Sequence, residues 1–129
     1  MAMATDPVHL AGLAEEHLER ARSAIDRASW TEAVVWTHLA AEVAVTALSL
    51  AGGEDARKQH LRRASLARRL FERGILDEDL GSLLIRLNTE RKRAVHEGIE
   101  PDLRGRSWAD VIASVGGLVD AASRQVQRA

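Results

Sequence analysis

Apolar residues recur at three-and-four spacing through most of this chain, and the recurrence predicts five helices. In the first, Leu10, Leu13, Ala14, Leu18, Ala21, Ile25 and Ala28 share one face. Glu15, Glu16, Glu19, Arg22 and Arg27 take the other. Asp6 followed by Pro7 supplies an N-cap acceptor and then a residue that needs no amide hydrogen, so this helix is expected over about 7–28.

Ser29-Trp30-Thr31-Glu32 reads as a capping box for a second helix, which stops at Gly52-Gly53. That helix is apolar nearly all round, as expected of a central helix contacted on several sides. Its polar residues His38, Glu42, Thr46 and Ser49 fall in one stripe.

A third helix is expected over 54–73, with Leu61, Leu66, Ala67, Leu70 and Phe71 apolar and Gly74 ending it. Asp77 caps a fourth over about 78–97, whose buried stripe is Leu80, Leu83, Leu84, Leu87, Ala94 and Val95. Ser107 caps the last, in which Trp108, Val111, Ile112, Val115, Leu118, Val119, Ala122 and Val126 form the stripe. Gly116-Gly117 inside it suggests close approach of another backbone. The fold class is therefore all-α, an up-and-down antiparallel bundle of four to five helices. A flexible N-terminus over 1–6 precedes a single domain over 7–129.

The chain has no cysteine, which excludes disulfides, thiolate catalysis and zinc-thiolate sites. The first residues lack the layout of a signal peptide, and His38 and Glu42 interrupt the most apolar window. The expectation is a cytoplasmic protein with no membrane partner. Five scattered histidines show no metal-ligand spacing, and no glycine-rich phosphate loop follows a strand, so neither a metal nor another cofactor is expected.

The net charge of −1 conceals an asymmetry. Residues 1–56 carry three basic and nine acidic side chains, whereas residues 57–96 carry eleven basic and five acidic. The basic segment either attracts a polyanion or pairs with the acidic first half inside the fold.

Within that segment, Arg91 and His96 stand five positions apart. Arg91 falls in the middle of the apolar stripe, where an unpaired charge is expensive, and Glu42 is the expected partner. Asn88, Lys92 and His96 make an adjacent row, and Arg86, Glu90, Arg93 and Glu97 take the far side. An arginine presents a fork of donors to phosphate oxygens, and a histidine moves a proton near neutral pH. Together they can run RNA cleavage by internal 2′-hydroxyl attack without a metal. On a straight helix the two lie about 140° apart. A shared site then requires either a frayed helix end or a second chain.

The run Leu87-Asn-Thr-Glu-Arg-Lys-Arg-Ala-Val-His-Glu-Gly98 resembles the Arg-x4-6-His signature of the HEPN superfamily (higher eukaryotes and prokaryotes nucleotide-binding domain). Residues 40–53 resemble that family's second helix and residues 60–76 its third, and the similarity covers roughly 8–125. The resemblance implies a helical bundle, usually a homodimer, with a metal-independent endoribonuclease site at the dimer cleft.

By position, Arg91 would stabilise the transition state and His96 would be the general acid/base. Lys92, Asn88 and Arg93 are the substrate-binding candidates, and Glu42 the supporting one. Many members are toxins or phage-defence effectors acting on RNA, some partnered by a nucleotidyltransferase-type antitoxin. Two departures stand out. Lys92 occupies a position that is often a small polar residue, and Gly98 stands where some toxins carry a tyrosine that the antitoxin modifies. A non-catalytic helical dimerisation or interaction module, with Arg91 buried against Glu42, and a nucleotide-binding domain are the alternative readings.

Overall fold

The computed structural model describes residues 6–53 and 60–128, and of residues 60–62 the backbone only. The expected beginning of the third helix and the N-terminal residues 1–5 lie outside the described residues.

Five helices follow in order: α1 (Pro7–Asp26), α2 (Trp30–Ala51), α3 (His60–Glu72), α4 (Gly81–Glu97) and α5 (Trp108–Arg128). Among the described residues there is no strand, and the fold is an all-α bundle. α2 is its axis, packing on each of the other four helices. Ala33, Val34, Thr37, Ala40, Ala44, Val45 and Ala47 on α2 are completely buried. Small side chains on several faces are what allow four neighbours to approach one helix. By length and composition α2 would also suit a bilayer, but 67% of its apolar window is buried inside this bundle.

The helix ends follow local chemistry. Asp6 accepts the Val8 N–H at 2.9 Å and opens α1. Ser107 Oγ accepts the Asp110 N–H at 3.0 Å and opens α5. Gly98 closes α4 with φ 67°, a left-handed conformation in which a side chain would be strained.

Two starts differ from expectation. Ser29 makes no side-chain capping bond, and the Glu32 carboxylate pairs with Arg27 at 2.9 Å in place of closing the capping box. α4 starts at Gly81 and not near 78, where Asp79 Oδ1 accepts the Gly81 N–H at 2.9 Å.

The expected close approach at Gly116-Gly117 does not occur. A Cβ on Gly116 would meet only side-chain atoms at 3.8 Å or more. The tight crossing is at Gly81, where a Cβ would sit 3.0 Å from the Ala64 carbonyl oxygen, so the absence of a side chain lets α3 and α4 touch.

Candidate functional site

A cleft opens where α4 faces the polar stripe of α2. From α4 come Asn88, Arg91 and Lys92; from α2 come Val35, His38, Leu39 and Glu42, around a volume of about 580 Å³. A smaller hollow of about 260 Å³ shares His38, Glu42 and Asn88 with it and extends to Arg63 and Ala64 of α3. Among the described residues, the two hollows set Arg63, Arg91 and Lys92 as permanent cations beside the carboxylate of Glu42. The cleft favours an anion.

Arg91 is half-buried. Its Nη2 donates to Asn88 Oδ1 at 2.7 Å, one helical turn back, while its buried Nε has no hydrogen-bond partner. An orphaned buried donor costs about 1–3 kcal/mol, a cost that an acceptor entering the cleft would remove. The expected ion pair between Arg91 and Glu42 is corrected by this geometry. The carboxylate of Glu42 turns to His38 Nε2 at 3.3 Å on its own helix and to Arg63 Nη1 at 3.5 Å on α3. Arg63 Nε also donates to Thr46 Oγ1 at 3.3 Å, so Arg63 of α3 ties together two residues of the α2 stripe.

The remainder of that stripe is local. Thr46 and Ser49 donate their hydroxyls to the carbonyls of Glu42 and Val45, four residues earlier on α2. His38 is buried and lines both hollows; its place among apolar neighbours on α2 was the signal for it, and sequence reasoning did not assign it to the site.

Arg93 and His96 lie elsewhere. Arg93 reaches back to Glu90 at 3.2 Å, on the side of α4 away from the cleft lining. His96 is exposed in the last turn of α4, outside the residues that line the cleft. α4 remains helical through Glu97, and Gly98 N–H donates to Ala94 O at 3.1 Å, so the helix end does not fray to bring His96 round.

Glu90 departs most from its expected place. It is completely buried, not on an outer face. Its carboxylate accepts the Asp102 backbone N–H at 2.7 Å and pairs with Arg86 and Arg93, each at 3.2 Å. Burial opposes its ionisation, but the Asp102 amide and then the two guanidiniums outweigh it and hold the carboxyl below the usual range. Glu90 pins the loop that follows His96 onto the helix that carries Arg91.

A family model described as HEPN domain matches residues 10–122, nearly the whole chain. No curated protein and no solved structure gives a significant match.

Proposed function

The chain belongs to the HEPN domain family, and from that premise we propose that it is a metal-independent endoribonuclease acting as a homodimer. The observation that carries this reading is Arg91. It is a half-buried guanidinium fixed by Asn88, with an unpaired Nε, in a cleft lined by more cations than anions. A phosphodiester oxygen is the acceptor that this geometry suits.

The reaction is internal transfer. The ribose 2′-hydroxyl attacks the adjacent phosphorus, the new P–O2′ bond forms, and the P–O5′ bond breaks. The 2′-hydroxyl proton goes to a base, and the 5′ oxygen receives one from an acid. Arg91 and Lys92 neutralise the charge gathering on the phosphoryl oxygens. In a dimer that brings two α4 helices together, the two copies' His96 imidazoles serve as base and acid. Such a dimer would bring to the cleft a His96 that does not line it in the single chain. RNA is the substrate, and the cellular setting is a cytoplasmic toxin or phage-defence system with a nucleotidyltransferase-type antitoxin as partner, one that acts without tyrosine modification because the chain has no tyrosine.

The test is cleavage of RNA in EDTA by the purified protein, with Arg91→Ala and His96→Ala alongside and the oligomeric state measured by light scattering. Cleavage lost in both variants, by a dimer, supports the reading. Equal cleavage by parent and both variants overturns it. The exposed position of His96 favours one second reading, an RNA- or nucleotide-binding module without catalysis. Binding that depends on Arg91, with no cleavage by the parent, would identify it.

A further inference from the structure

Trp36 borders a second hollow beside the Arg91 cleft. This hollow of about 530 Å³ lies between α1 and α2, bordered by Arg20, Ser23, Arg27, Thr31, Glu32 and Trp36, and Val35 lines both this hollow and the Arg91 cleft. The two are therefore adjacent along α2, within about one 5.4 Å turn.

The hollow has an aromatic wall and a cation. Arg20 Cζ lies 4.8 Å from the Trp36 ring centroid, and the imidazole of His17 stands 5.2 Å from the same indole, tilted by 31°. Only three of the first 56 residues are basic, and two of them, Arg20 and Arg27, border this hollow. Arg27 is paired with Glu32 at 2.9 Å, whereas Arg20 is exposed and engages the indole face. Beside the indole, His17 is buried with its Nδ1 unpartnered.

We propose that this hollow is a nucleobase-stacking subsite for the RNA strand whose phosphate occupies the Arg91 cleft. The base takes the place against the Trp36 indole that the exposed Arg20 guanidinium now holds, and the displaced guanidinium closes over the base's other face. Stacking on an aromatic ring with an arginine above tolerates any base, because every base has a π-face. The subsite thus supplies affinity and places the scissile phosphate without selecting a sequence. It rests on the ribonuclease reading for the identity of the strand.

The test uses an uncleavable 2′-O-methyl oligoribonucleotide. Trp30 and Trp108 stack on each other at 6.0 Å, so replacing both by Phe keeps a ring pair there and leaves Trp36 as the sole indole. Titration should quench Trp36 emission, and inorganic phosphate should not. Trp36→Ala and the exposed Arg20→Ala should each weaken binding by about tenfold, with thermal melting separating lost affinity from lost folding. If the Trp30/Trp108 variant fails to fold, the affinities of Trp36→Ala and Arg20→Ala in the otherwise native chain decide the matter.

Unchanged emission and unchanged affinity in a protein that still cleaves RNA would overturn the stacking subsite and leave the ribonuclease reading standing. Absence of cleavage by the parent would instead count against that reading. A Trp36 emission shift that follows protein concentration without RNA would assign the face to a second copy and overturn the proposal.

Discussion

Arg91 and Asn88, one turn apart on α4, are joined by a 2.7 Å hydrogen bond that leaves the buried Nε of Arg91 without an acceptor. The amide holds the guanidinium in place without neutralising it. A carboxylate at the same position would have cancelled the charge and closed the fork against phosphate. The arrangement therefore suits binding better than it suits stability.

Replacing Arg91 by alanine separates those two roles. The variant loses a cation but also removes an unsatisfied buried donor, so its stability should stay within about 1 kcal/mol of the parent. RNA cleavage should fall by about two to three orders of magnitude, as for loss of one transition-state donor. Thermal melting beside a cleavage assay checks both. A large fall in melting temperature would favour the structural alternative, in which Arg91 is simply part of the core.

His96 is exposed at the end of α4, so His96→Ala should leave the melting temperature unchanged. Its cleavage rate should drop by about 10²–10⁴-fold, the usual worth of a general acid/base. Folded, stable and inactive is the expected combination, read by circular dichroism and gel assay.

Glu90 should behave in the opposite sense. Glu90→Ala strips the Asp102 amide and two guanidiniums of their acceptor and releases the loop after His96. The expected loss is about 2–4 kcal/mol of unfolding free energy, measured by urea denaturation. Glu90→Gln keeps one acceptor for the amide and should lose less.

Stability should fall with acid in two stages. Burial, and then the charge of Arg20, hold the His17 imidazole below the usual histidine range, against a smaller opposite pull from Glu16. A lowered folded-state value means that the unfolded chain takes up the proton first. His17 therefore contributes stability above about pH 6.5, lost as pH falls from there through its folded value. Glu90 is lowered likewise, so its contribution is present above about pH 4.3 and is lost as pH drops further. Melting temperature against pH should show both declines, and Glu90→Gln should lack the lower one.

The five helices and the central place of α2 were legible because both depend on periodicity and side-chain size, which lie in the chain itself. The cleft was legible in part. Asn88, Arg91, Lys92 and Glu42 line one volume, and of these the sequence paired only Arg91 with Glu42 across two helices. The partner of Arg91 was misread because a carboxylate outranks an amide on charge alone. Arg63, reaching Glu42 from α3, decides that contest in three dimensions. Glu90 was misplaced for a related reason: the 98–106 loop folds back and covers that face of α4, a tertiary event with no periodic signature. His96 follows helical geometry, and its distance from Arg91 around the helix was visible from the outset.

The most direct measurement is the chemistry of the RNA ends produced in EDTA. Attack by the 2′-hydroxyl predicts a 2′,3′-cyclic phosphate on one fragment and a free 5′-hydroxyl on the other, with neither formed by Arg91→Ala or His96→Ala. Fragments ending in 3′-hydroxyl and 5′-phosphate, or cyclic ends that persist in both variants, would contradict the account.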